Sequence, residues 1–163
     1  MMFRKFAAMT ATALLLGGTA MAQDKLTVSE IAVAADLTAV TNPAAAAYWA
    51  NLATDLEAAI ASRVAEQIAE DGTRITVDIS EIELSSGFES ALGLADTRLV
   101  GQVRMDNEAN PTRFSVFELT VDVNQVIPTL PEGTTLDQVT ADTDAFYRTM
   151  VDAFAQAVVD RLV

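Results

Sequence analysis

The sequence predicts an α+β fold in which a four-stranded, mainly antiparallel sheet carries two amphipathic helices on one face. Four runs of alternating apolar residues are typical of strands, and two longer runs with apolar residues every three or four positions are typical of helices. Their order along the chain, β-α-β-β-β-α, favours an open sheet covered by helices. Since the chain shows no internal repeat and no low-complexity linker, one domain is expected.

The first predicted strand covers residues 25–37 and changes parity along its length. Leu26 and Val28 alternate with polar residues, and the apolar alternation then resumes at Ile31 in the opposite parity. One side of the strand stays apolar if a β-bulge near Ser29 shifts the chain by one residue. Burial of both faces, as in a central strand, is the alternative.

A single long helix is predicted to start at Asn42-Pro43 and to end at Asp71-Gly72. Asparagine is a favoured N-cap and proline is favoured at the first helical position. Glycine can close the helix in a left-handed conformation. The apolar stripe of this helix contains Trp49, Leu52, Leu56, Ile60, Val64 and Ile68.

Three further strands are predicted over residues 74–84, 98–105 and 113–123, and they are expected to form an antiparallel meander. The second helix is predicted from Asp142 to the end of the chain, where Asp142 and Asp144 suit its positively polarised N-terminus. The buried stripe of this helix is expected to contain Phe146, Met150, Phe154, Val158 and Leu162.

The predicted hairpin leaves apolar residues on the sheet face that the helices do not cover. A polar turn over residues 106–112 would place Met105 opposite Arg113. The second face then carries Val100, Phe114 and Val116, joined by Ile82 and Leu84 if the second strand has no bulge. An apolar patch of this kind needs a cover, and three covers are open: the chain's own loop 85–97, a partner protein, or a second copy forming a homodimer.

The first 22 residues have the features of a secretory signal peptide. Arg4 and Lys5 give a basic start, residues 11–16 form an apolar core interrupted only by Thr12, and Ala20 and Ala22 are small residues at the two cleavage-recognition positions. We therefore expect a mature domain of residues 23–163 that is secreted to the periplasm or the extracellular space. An uncleaved N-terminal anchor is the alternative, and no transmembrane span is expected in the mature chain.

The composition excludes several chemistries. The sequence contains no cysteine and no histidine, so disulfides, a lipid-attached cysteine, thiolate or imidazole metal ligands and a Ser-His-Asp triad are all excluded. Phosphate-loop and dinucleotide-binding fingerprints are absent as well. The sequence therefore predicts no cofactor and no catalytic residue, apart from a carboxylate pair, Glu81 and Glu83, that would share one strand face.

The chain is strongly acidic, with a formal net charge of −13. All 23 acidic residues follow the signal peptide, whereas Arg4 and Lys5 lie within it, so the mature protein is more acidic still. This charge repels nucleic acids and anionic lipid surfaces. It favours solubility, or attraction to cations or to a basic partner.

Two acidic clusters are candidate calcium sites, although neither follows an EF-hand spacing. One consists of Asp137, Asp142 and Asp144, for which helix capping is the competing explanation. The other consists of Asp106, Asn107, Glu108 and Asn110, for which turn chemistry is the competing explanation.

Together these features predict an exported, periplasmic-type, non-enzymatic binding or assembly module. The alternatives are a small carrier of apolar ligands, with a pocket beneath the segment 124–141, and a hydrolase that uses carboxylates alone. In element order the chain is similar to small bacterial envelope proteins that assist transport or assembly, such as the lipopolysaccharide-assembly lipoproteins. It departs from them in having no cysteine.

Overall fold

The computed structural model describes residues 26–38, 40, 43–83, 97–126, 133, 135 and 143–162, without the side chains of residues 80–83, 124 and 143. It confirms the α+β class. The strands are β1 (Val28–Ala35), β2 (Thr73–Glu83), β3 (Arg98–Asp106) and β4 (Ser115–Asp122). The helices are α1 (Pro43–Tyr48), α2 (Leu52–Arg63), the single turn α3 (Val123–Val126) and α4 (Thr143–Val159), with a 3-10 turn at Ala65–Gln67.

The four strands form one sheet in the order β1-β2-β3-β4. The β1–β2 pair is parallel, and the β2–β3 and β3–β4 pairs are antiparallel. The predicted bulge in the first strand is confirmed, because the β1–β2 register shifts between Val28 and Glu30. The central-strand alternative is wrong, since β1 lies at the edge of the sheet.

The helices α2 and α4 pack together on one face of the sheet and bury a common apolar core. Trp49 and Phe154 are both fully buried in it. From the sheet the core takes Ile75, Val77, Ile79, Leu99 and Val103. From the predicted stripe it takes Phe146, Met150, Phe154 and Val158 of α4, and Leu162 of the turn that follows. The helix was predicted to run to the end of the chain, but it ends at Val159, where Leu162 N–H donates to the Val159 carbonyl in a tighter turn.

The first helical region is not the single helix that its apolar stripe predicted. After α1 the chain tightens into a turn, in which Leu52 N–H donates to the carbonyl of Trp49. The second part, α2, ends at Arg63. Beyond the 3-10 turn the backbone is extended at Ile68, which forms a parallel bridge with Val28. Ala69 N–H also donates to the Val28 carbonyl oxygen. Pairing with the sheet edge overrides the helical periodicity in this segment.

Gly72 has a different role from the predicted one, since it lies beyond the end of the helix. A Cβ atom on this residue would stand 2.5 Å from the carbonyl carbon of Val28. Glycine is required because two backbone segments approach closely, and not because a helix closes in a left-handed turn.

The β3–β4 register differs from the prediction by two residues, since Met105 lies opposite Ser115 and not Arg113. The connection is longer because it contains two successive turns, in which Asn110 N–H donates to Asn107 and Arg113 N–H donates to Asn110. Side chains alternate with a period of two, so a shift of two residues leaves each side chain on its predicted face.

The segment expected to be irregular from residue 124 onward begins with α3, in which Val126 is buried. Gln125 N–H donates to the Asp122 carboxylate at 3.0 Å and so caps this turn. Most of the remainder of the segment 124–141 lies outside the described residues.

Candidate interaction face

The sheet face opposite α2 and α4, which we call the outer face, consists of alternate residues of all four strands. Its members follow from the register: Glu30, Ala32 and Ala34 of β1, Arg74, Thr76 and Asp78 of β2, Val100, Gln102, Arg104 and Asp106 of β3, and Val116, Glu118 and Thr120 of β4. None of the core residues of α2 or α4 packs on this side.

Two apolar side chains are exposed at the β4 end of the outer face. Phe114 is 55% exposed and Val116 is 44% exposed, although both are large and apolar. Val116 lies in β4 opposite Arg104 of β3. The guanidinium carbon of Arg104 stands 5.1 Å from the centroid of the Phe114 ring, within the range of a cation–π contact.

Arg104 is held in this position from its other side by Asp106, whose carboxylate accepts a hydrogen bond from Arg104 Nε at 3.0 Å. The exposed apolar pair therefore lies beside an anchored cation. Aromatic side chains and arginine are the residue types enriched in the centres of protein interfaces.

Of the other three residues predicted for this face, Val100 and the backbone of Ile82 are described. Val100 has the expected parity and lies opposite Thr120, but it is only 8% exposed. Ile82 lies opposite Leu99 because the β2–β3 register shifts between Ile79 and Glu81. Ile82 was expected on the outer face only if this strand had no bulge, and the bulge that is present gives its backbone the register of the core face. Leu84 and most of the 85–97 loop lie outside the described residues.

A hollow of about 260 Å³ at the start of β1 is lined by five carboxylates and one guanidinium. The cation is Arg74, whose Nε donates to Glu30 at 2.7 Å and whose Nη2 donates to Glu108 at 3.0 Å. These two bonds raise the pKa of Arg74 above its ordinary value. The remaining carboxylates around the hollow belong to Glu70, Asp71 and Asp106.

In the hairpin turn, the two asparagines of the predicted calcium cluster form hydrogen bonds within the turn and to the neighbouring backbone. Asn107 accepts from Asn110 N–H at 2.8 Å through its side-chain oxygen and donates to the Asp71 carbonyl at 3.0 Å. The side chain of Asn110 accepts from Thr112 N–H at 3.2 Å. Among the described residues, no group of three acidic side chains is arranged to hold a metal ion. Asp137 and Asp142 lie outside them.

A second hollow of about 440 Å³ lies between α2 and α4 and is lined by charged side chains. Across it, the Tyr147 hydroxyl donates to the Asp55 carboxylate at 2.7 Å. Partial burial and this negative neighbour raise the pKa of Tyr147 above its ordinary value, because both disfavour the phenolate. Sequence reasoning missed this pair, since its members are 92 positions apart.

The carboxylate pair predicted for the second strand keeps its shared parity in the backbone. Glu81 lies opposite Val100 and Glu83 lies opposite Arg98. Their side chains are outside the described part of the structure. Within the same described part, no helix is both long enough and apolar enough to cross a membrane.

No family model and no curated protein matches the chain. Two crystal structures are similar to it over most of their length. One is protein XCC0632 from Xanthomonas campestris, of the DUF330 family, with 14% identity, a TM-score of 0.46, and coverage of 84% of each chain. The other, from Caulobacter crescentus, is described as a candidate lipoprotein, with 9% identity, a TM-score of 0.40, and coverage of 81% of this chain and 86% of that one. Similarity of this degree does not define a common function.

Proposed function

We propose that this chain is an exported, periplasmic-type, non-enzymatic binding or assembly module that contacts a protein partner or a second copy through its outer face. The observation that carries the proposal is the exposure of Phe114 and Val116 on a sheet face that neither α2 nor α4 covers. Burying these two side chains against a partner would stabilise a complex by removing apolar area from water.

Arg104 adds specificity to this contact. Its side chain is about half exposed, and it is shared between the Phe114 ring and the Asp106 carboxylate. A partner that stacks on Phe114 would meet a cation whose position is already fixed, so little side-chain entropy remains to be lost on binding.

Export is supported by the sequence features of residues 1–22, and the absence of histidine and cysteine supports a binding role over catalysis. The pocket expected for an apolar-ligand carrier, beneath the segment 124–141, lies largely outside the described residues. The hollow between α2 and α4 is a different place, and half of its lining residues are charged, which does not favour an apolar ligand there. The carboxylate-only hydrolase remains the third candidate.

The test uses the mature chain as bait in extracts of its native envelope, together with a variant in which Phe114→Ser and Val116→Ser are combined. A matched surface change, Glu57→Ser on the exposed side of α2, serves as the control. We expect the double variant to lose the captured partner and the control to retain it.

Sedimentation of the same three proteins separates a partner from a second copy. A wild-type dimer that the double variant converts to monomer would assign the outer face to self-association. A wild-type monomer whose captured proteins are the same with and without Phe114 and Val116 would refute the proposal.

A further inference from the structure

From Ile31 to Ala35, the side of the β1 backbone that faces away from β2 has no pairing strand among the described residues. In a parallel ladder the N–H and C=O groups of alternate residues point to the same side. Asp36 N–H donates to the Ile79 carbonyl at 3.3 Å, so the even-numbered residues of this stretch face β2. The N–H and C=O groups of Ile31, Val33 and Ala35 therefore point away from the sheet. They bond to no other residue in the described part of the chain.

The start of this edge is already occupied. Ala69 N–H donates to the Val28 carbonyl at 2.9 Å, and Ile68 pairs with Val28 as a parallel bridge. The bulge between Val28 and Glu30 then shifts the register of the β1–β2 pairing. The open edge accordingly runs from Ile31 to Ala35, the length of an ordinary short strand.

The two edges of the sheet differ in how well they are protected against pairing with another chain. The opposite edge strand, β4, carries the exposed Glu118 in its middle, and Arg161 packs over the Phe117 ring at 4.9 Å. In contrast, β1 has no charged residue between Glu30 and Asp36. A central charge is a common protection of natural edge strands, so β1 is the edge that can accept another strand.

The charges at both ends of the open edge indicate what kind of strand would fit. At its start lies the hollow lined by five carboxylates, one of them that of Glu30, and by a single cationic side chain, that of Arg74. At its end lies Asp36, which accepts hydrogen bonds from the N–H and the hydroxyl of Thr38. These bonds lower the pKa of Asp36, which is therefore ionised at neutral pH.

A second copy of the chain fits this edge poorly. Antiparallel pairing of two β1 strands centred on Val33 would place Glu30 of each copy opposite Asp36 of the other, and like charges directly opposite are destabilising. The net charge of −13 on each chain opposes the same pairing.

We propose that the open edge of β1 binds an extended segment of another protein by strand addition, and that this segment has uncharged residues at its centre and lysine or arginine at its ends. Main-chain hydrogen bonds to Ile31, Val33 and Ala35 hold the segment. Its basic ends pair with Asp36 and with the carboxylates near Glu30. The open edge of β1 lies on the opposite side of the sheet from Phe114 and Val116, so either proposal can fail alone.

The probe is a synthetic peptide with two lysines at each end and a centre of alternating valine and threonine, labelled for fluorescence anisotropy with the mature chain. A second peptide replaces the lysines with glutamates. We expect the basic peptide to bind at least about tenfold more tightly, with a difference that shrinks as salt is added. Equal binding of the two peptides would overturn the proposal.

The site of binding is tested by Ala35→Pro, which removes an N–H from the open edge but no bond to β2. Its control is Ala35→Thr, which keeps the N–H and the extended conformation. We expect Ala35→Pro to weaken binding of the basic peptide about tenfold, while Ala35→Thr and the combined Phe114→Ser and Val116→Ser variant bind as the wild type does. Unchanged binding by a folded Ala35→Pro variant would overturn the proposal.

Amide hydrogen exchange of the wild-type protein locates the contact even if the proline variant does not fold. The amides of Ile31, Val33 and Ala35 should exchange rapidly in the free protein and become protected when the basic peptide is bound. Protection confined to residues 114–118 would move the peptide to the outer face and refute binding at the edge. If the protein formed a dimer without peptide and these same three amides were protected in it, a second copy of the chain would be the occupant of the edge. That result would also refute the proposal.

Discussion

The ring of Phe154 lies directly against Gly101, at a distance that leaves no room for a side chain on the strand. A Cβ atom on residue 101 would stand 3.0 Å from Phe154 Cζ and 2.8 Å from Ile79 Cδ1. Because Gly101 has no side chain, the Phe154 ring of α4 can pack directly over the backbone of β3.

We predict that Gly101→Ala lowers the free energy of unfolding by about 1–3 kcal/mol, because the ring and Ile79 must both shift in a packed core. Urea denaturation measures the change. The control is Gln102→Ala, an exposed neighbour on the outer face, for which a change within about 0.5 kcal/mol is expected. Equal effects of the two substitutions would contradict this packing.

Substitution by alanine should lower the free energy of unfolding by different amounts at Gly72 and at Gly133, because the surroundings of the two glycines differ. At Gly72 an added Cβ would meet backbone atoms of Val28 and Ser29, which are held by the parallel pairing of β1 and by the Ser29 hydroxyl bond to the Gly72 carbonyl. Gly72→Ala should therefore cost about 3 kcal/mol. At Gly133, φ is 88° and no atom lies within 4 Å, so alanine should cost about 1 kcal/mol from conformation alone. The reverse order in thermal unfolding would count against this account.

The Tyr147–Asp55 pair predicts a loss of stability in alkaline solution. Because the folded state raises the pKa of Tyr147 above 10.0, it keeps the phenol proton at pH values where the unfolded chain releases it. The contribution is complete below pH 10 and declines as pH rises above that value. Tyr147→Phe should remove this part of the decline above pH 10, and Asp55→Asn should reduce it. Parallel stability–pH curves for wild type and Tyr147→Phe would show that the pair is not formed.

Asn107 is predicted to stabilise the β3–β4 connection through two separate bonds. Asn107→Ala should cost about 1–3 kcal/mol, because the buried side chain satisfies both Asp71 C=O and Asn110 N–H. Asn107→Asp retains the acceptor for Asn110 but loses the donor to Asp71. If the bond to Asp71 contributes, Asn107→Asp should also be less stable than the wild type by chemical denaturation; a wild-type value would show that it does not.

Hydrophobic periodicity was sufficient to predict the strands, α4 and the face on which the helices pack. The alternation of Ile75, Val77 and Ile79 and the stripe from Phe146 to Leu162 are local patterns that burial in the core preserves. The same reasoning gave a bulge near Ser29 as one of two readings, because a shift of the chain keeps Val28 and Ile31 on one side, and the structure has that bulge.

The parts that failed depend on contacts between distant segments. Ile68 continues the helical stripe in the sequence, yet it pairs with Val28 and is 57% exposed. The bulge near Ser80, which gives Ile82 the register of the core face, is signalled only by the change of parity between Ile79 and Ile82. A straight strand with apolar residues on both faces would show the same pattern, so the sequence left both readings open. Exposure of Phe114 and Val116 could be predicted from parity alone, whereas burial of Val100 on the same face could not.

Photocross-linking in the native host tests the outer face most directly. A photoreactive phenylalanine analogue is placed at position 116, or at position 57 on α2 as the control. We predict a specific adduct from position 116, either to one partner protein or to a second copy, and none from position 57. Absence of an adduct at position 116, or equal yields at both positions, would contradict the proposed role of the face that carries Phe114 and Val116.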